Sequence, residues 1–185
     1  MLNKSTITFA LTMSALMLLT RGSHFSGFNA LPEASWMIFM VAGALLPRWS
    51  FAWFMSLAVG IDAFTFGGVP GTCFSIAYGM LIPAYFSMWM AGRLAKPYLA
   101  SRFSGSAAFF GFAMGGTLTC ELISSGSFYL WSGNFEPSMV EFITRELQYA
   151  PAVFASSAYW AVVFIAASAL YRLYSQVKSP EALPH

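Results

Sequence analysis

The sequence predicts an all-α integral membrane protein: a bundle of six transmembrane helices with both termini in the cytoplasm. Three observations carry this. Of 185 residues, 58% are hydrophobic and only 9% are charged, with a mean hydropathy of +0.65. A soluble domain carries about 25% charged residues, so this chain lacks the charge to cover a water-facing surface. Apolar runs recur six times, and the basic residues segregate to alternate connections between them. The length predicts one transmembrane domain over 1–185, with no separate soluble domain.

The opening stretch, MLNKSTITFALTMSALMLLT, has some features of a signal peptide. Its apolar run is long and no A-x-A-like site follows, so a retained first helix over Thr6–Thr20 is expected. The segment RGSHFSGFNALP then forms a loop. A second helix runs over Glu33–Leu46 and stops at Pro47, and a third over Ser50–Phe64. Both are short against the roughly 20 residues a span needs, so either they extend into their loops or the bundle is thin there. The fourth helix covers Cys73–Arg93, the fifth Ser104–Phe128 and the sixth Pro151–Tyr174. Between the last two, Met139, Val140, Ile143 and Leu147 repeat at helical spacing among Glu141, Arg145 and Glu146. That pattern predicts a short amphipathic helix over Ser138–Gln148 on the outer surface, as a lid or an interfacial anchor. In the fifth helix Gly111-x-x-x-Gly115, followed by Gly116, predicts close helix approach inside the bundle.

With the N-terminus inside, Lys4, Arg48, Arg93, Lys96, Arg102, Arg172 and Lys178 fall on cytoplasmic segments and only Arg21 and Arg145 outside. This is a positive-inside bias that removing one helix would spoil. The acids run the other way. Glu33, Asp62 and Glu121 sit at edges of apolar runs, where an ionisable group is expensive. They are functional carboxylates or helix-end groups reaching headgroup water.

The chain is organised around Phe64–Tyr78, FTFGGVPGTCFSIAY. Gly67, Gly68, Pro70 and Gly71 break any helix there. Thr72 is placed to cap the helix that follows, which puts Cys73 in its first turn. The positive end of the helix dipole favours thiolate, a soft ligand and good nucleophile. Cys73 is therefore a candidate chemical centre on the outer face; the alternative is one more small buried residue.

Several chemistries are excluded. There is no G-x-x-x-x-G-K-[ST], no H-E-x-x-H and no G-x-S-x-G. The only histidines are His24 and His185, Asp62 is the only aspartate, and no basic cluster suggests nucleic acid. An outward-facing cavity with aromatics, one candidate thiolate, few charges and no engine suits a substrate-binding transporter component better than an enzyme or a channel.

In length, layout and above all the segment GGVPGTCFSIAYGMLIPAY, the chain resembles the BtuM cobalamin transporters, relatives of the substrate-binding S-components of energy-coupling factor transporters. The resemblance implies an S-component-like bundle in a bacterial inner membrane, with cobalamin (vitamin B12) as the substrate. It implies that Cys73 ligates the cobalt axially, with the vitamin bound base-off, since thiolate suits a late first-row metal. It also associates Cys73 with removal of cyanide from cyanocobalamin, an ancillary activity that needs an electron source. By position, Phe66, Gly71, Thr72, Phe74, Tyr78, Tyr85, Phe128, Tyr129 and Trp131 become candidates for the corrin pocket, and His24 either reaches the ligand or is a solvated loop histidine. The Ala-x-x-x-Ala pattern that docks S-components on a shared energising module is only loosely matched, by Ala10-x-x-x-Ser14 in the first helix. Docking on such a module or working alone both stay open. Two other readings stand beside this one: an S-component for a different small vitamin, and a membrane scaffold that binds no small molecule.

Overall fold

The computed structural model describes residues 3–21, 31–65, 76–100, 103–133, 135 and 138–178. Among these residues the chain is all-helical, with no strand. The helices are α1 (Lys4–Arg21), α2 (Ser35–Leu45), α3 (Ser50–Thr65), α4 (Ile76–Gly79), α5 (Leu81–Ala95), α6 (Phe103–Trp131) and α7 (Met139–Lys178), with a short 3₁₀ helix at Lys96–Ala100 after α5. Two of them, α6 and α7, are long and apolar enough to cross a membrane.

One of the shorter helices, α2, is also the most thoroughly buried. Nine of the 11 residues of α2 are buried. A helix apolar all round has to be buried all round, and α2 achieves this inside protein. Its Phe39 stacks on Tyr85 of α5 with ring centroids 4.7 Å apart, and meets Phe51 and Phe54 of α3. The α2–α5 crossing depends on two glycines. A Cβ on Gly43 would lie 2.0 Å from the Trp89 carbonyl oxygen, and one on Gly92 would lie 1.8 Å from that of Met40. The two backbones are in direct contact there.

The glycines marked by spacing behave differently. Gly116 does pack inward, against Met88 and Ala91, but a Cβ on Gly111 or Gly115 would meet nothing within 4 Å. The expected internal use of Gly111-x-x-x-Gly115 is thus corrected: both residues face outward from α6. Small-residue spacing defines a face, not whether a neighbour covers it. Gly111→Ala and Gly115→Ala are therefore expected to leave stability unchanged or raise it by up to about 1 kcal/mol, the helix-propensity difference. Detergent-unfolding midpoints check this.

Two helix boundaries also differ from expectation. The fourth predicted helix is interrupted at Met80, because Pro83 lacks the N–H that would bond the Gly79 carbonyl. The amphipathic segment and the sixth predicted helix are one 40-residue helix, α7, running through Pro151. The proline costs one backbone bond, but both flanks are fastened. Before it, Ser125 of α6 donates to Glu146. After it, Ser156 donates to the Glu33 carbonyl (3.0 Å) and the Trp160 indole to the Pro32 carbonyl (2.9 Å). Gly133, at φ +73°, ends α6 in the left-handed conformation that stops helices.

Helix ends alternate. Arg93 reaches the Leu46 carbonyl and Arg172 the Leu99 carbonyl at one end of the bundle. Glu33 and Asp62 converge on Arg21 at the other. Leu118, Leu122, Val162 and Leu170 stay exposed along α6 and α7, an apolar surface of the kind that faces lipid or a partner.

Candidate functional site

At the end of the bundle where α1 stops, four helices meet on one guanidinium and a fifth joins them through Asp62. Arg21 is the last residue of α1. Its Nε and Nη2 donate to the two carboxylate oxygens of Asp62 on α3, both at 2.7 Å. Its Nη1 donates to the Tyr85 hydroxyl of α5 at 2.7 Å, to Glu33 ahead of α2 at 3.1 Å and to Ser35 at 3.2 Å. The Tyr78 hydroxyl of α4 donates to Asp62 at 2.9 Å. The Arg21 and Asp62 side chains are only 9% and 12% exposed, whereas Glu33 is half exposed. Buried ions need both a partner and hydrogen bonds. Here the planar fork of arginine meets a carboxylate bidentately and its remaining donors find further acceptors.

Local sequence explains how the groups arrive. Asp62 lies in the last turn of α3. Tyr78 and Tyr85 are seven residues apart, so they share one side of the α4–α5 segment. Thr20 accepts a bond from the Ala34 N–H (3.3 Å), satisfying one of the orphan donors at the start of α2. That bond sets Glu33 and Ser35 beside Arg21.

The network has a further property. Asp62 precedes the glycine-rich segment and Tyr78 follows it, so their hydrogen bond ties together the chain on either side of residues 66–75. Of the residues predicted to line the pocket, Tyr78 and Tyr85 are brought together in this network. Cys73, Phe66, Gly71, Thr72, Phe74 and His24 lie outside the described residues. Tyr129 and Trp131 belong to the α6–α7 turn instead. The Tyr129 hydroxyl donates to the Ser138 carbonyl (3.0 Å) and accepts from its N–H (2.9 Å), while its ring stacks on Phe135. Trp131 is half exposed, as is Phe128, which packs edge-on against Phe135. Arg145 lies 4.2 Å over the same Phe135 ring and is paired with Glu141. The second cysteine, Cys120, is a buried free thiol.

Glu33 and Asp62 were visible in sequence as costly acids, but their common partner was not. Arg21 reads there as an ordinary loop-side cation, 41 residues from Asp62. The available signal was that an acid at the edge of an apolar run requires a partner.

No protein-family model matches the chain, and no curated protein matches it at a significant level.

Proposed function

We propose that the chain is a cobalamin importer of a bacterial inner membrane, a six-span bundle with both termini inside, and that Cys73 is the axial ligand of the substrate's cobalt. The observation that carries this reading is the cysteine's setting. In the sequence it belongs to the glycine-rich stretch 66–75, and the residues flanking that stretch, Asp62 and Tyr78, are tied together over a buried arginine. Fixing the two flanks of a chain stretch lowers the entropy cost of ordering a ligand contact between them. Thiolate donation to cobalt holds the vitamin base-off and weakens the opposite cobalt–cyanide bond. Cyanide release from cyanocobalamin needs an electron source as well.

The face that resembles a module-docking pattern supports an importer that works without docking there. Ala10 and Ser14 are buried, and Ser14 accepts a bond from the Trp53 indole of α3 at 3.0 Å.

Absorption spectra of the detergent-purified protein incubated with cyanocobalamin, wild type beside Cys73→Ser, test the proposal. A shifted corrin spectrum is expected to co-elute with wild type and to vanish in the variant. Colourless wild-type protein would sink the cobalamin reading, and an identical spectrum in both proteins would remove Cys73 as the ligand.

A further inference from the structure

A second feature lies at the opposite end of the bundle from Arg21. A groove of about 720 Å³ opens there between α1, α2, α6 and α7. Its deeper walls are apolar: Phe9, Val41, Phe109, Phe164 and Ile165. Its mouth is polar, with the hydroxyls of Ser5, Thr6 and Ser168 and the guanidinium of Arg172. Leu45 and Tyr171, both exposed, flank it, so it is open to the surroundings of the bundle. We propose that this groove seats one acyl chain of an anionic phospholipid, with the lipid phosphate on Arg172.

Three observations favour that occupant. The polarity runs in one direction, from cation and hydroxyls at the helix ends to aromatic and aliphatic walls further in, which is the profile of an amphiphile. The depth fits: Arg172 and Phe164 are eight residues apart on α7, about 12 Å of rise, close to the roughly 15 Å of one leaflet's hydrocarbon. The charge fits too. Lys4, Arg48, Arg93, Lys96 and Arg172 gather at this end, while the acids among the described residues, Glu33, Asp62, Glu121, Glu141 and Glu146, lie toward the other. A free phosphate would have no use for the apolar walls. Arg172 is also held in place: its Nη2 donates to the Leu99 carbonyl at 2.7 Å. That bond engages one of the five donors of a guanidinium and fixes the fork at the groove mouth.

Native mass spectrometry of the full chain in mild detergent, supplemented with dioleoyl phosphatidylglycerol or dioleoyl phosphatidylcholine, tests this. Wild type is expected to retain one phosphatidylglycerol, with roughly a fivefold preference over phosphatidylcholine, the size of one cation's attraction to an anionic lipid. Arg172→Gln should lose the preference, and Arg172→Lys should keep it. Ser168→Phe should lower retention of both lipids by filling the groove. Ser168 is exposed and bonds only within its own helix, to the Ile165 carbonyl, so this change leaves the core intact. Equal retention of the two lipids by wild type, a preference that survives Arg172→Gln or is lost in Arg172→Lys, or wild-type retention by Ser168→Phe would each overturn the proposal.

Discussion

Gly92→Ala is expected to destabilise the protein by about 1–3 kcal/mol or more, the usual cost of forcing extra volume into a packed core. The sign is the informative part. In an exposed helix Gly→Ala stabilises by up to about 1 kcal/mol, and that is the outcome expected at Gly111 and Gly115. At Gly92 the added carbon would sit 1.8 Å from the Met40 carbonyl oxygen, and at Gly43 it would sit 2.0 Å from that of Trp89. Both obstacles are backbone, which cannot rotate aside. The α2 and α5 axes must move apart, loosening the Phe39–Tyr85 stack as well. Unfolding midpoints of Gly43→Ala, Gly92→Ala and Gly111→Ala in one detergent series check the contrast. Equal shifts for all three would show that the close crossing is not a stability determinant.

Arg21→Met is expected to cost about 3–5 kcal/mol, since it strands the Asp62 carboxylate in a buried setting. Against a total stability of about 5–15 kcal/mol, that is a large fraction. The double variant Arg21→Met/Asp62→Leu removes both charges and should recover much of the loss, because a buried ion pair is often replaceable by apolar groups. A double-mutant cycle measures the coupling directly. If Arg21→Met alone unfolds within 1 kcal/mol of wild type, the network is decorative. In the importer reading the single variant should also weaken cobalamin retention, because Asp62 and Tyr78 tie together the flanks of the segment that carries Cys73.

Runs of apolar residues made most of the helices legible in the sequence, because burial in protein and burial in lipid select the same residue types. What the runs could not show was pairing. Gly43 and Gly92 sit inside ordinary apolar helices, 49 residues apart, and nothing local marks them as facing each other. The more conspicuous Gly111-x-x-x-Gly115 pointed to an exposed face. The sixth predicted helix starts at Pro151, whereas contacts from α6 and from Pro32–Glu33 carry α7 through it. At the candidate site, Tyr78 and Tyr85 were named as pocket candidates by position alone, and both belong to the Arg21 network. Their anchor Arg21 was missed, because a long-range ion pair leaves no periodic trace.

The brevity of α2 has a consequence for how the chain is made. Eleven residues give about 17 Å of helix, little more than half the roughly 30 Å of a bilayer's hydrocarbon. If the chain is the six-span bundle proposed above, such a segment is a poor substrate for one-at-a-time lateral release from a translocon. Its main partner, α5, begins 46 residues later (Ser35 to Leu81), a delay of a few seconds at roughly 5–20 residues synthesised per second. For that interval the grooved surface around Gly43 has nothing to close against. In the six-span reading, biogenesis of the first half of the bundle therefore waits on the second, and the nascent α1–α3 region is expected to stay with the insertion machinery until α5 emerges and locks it.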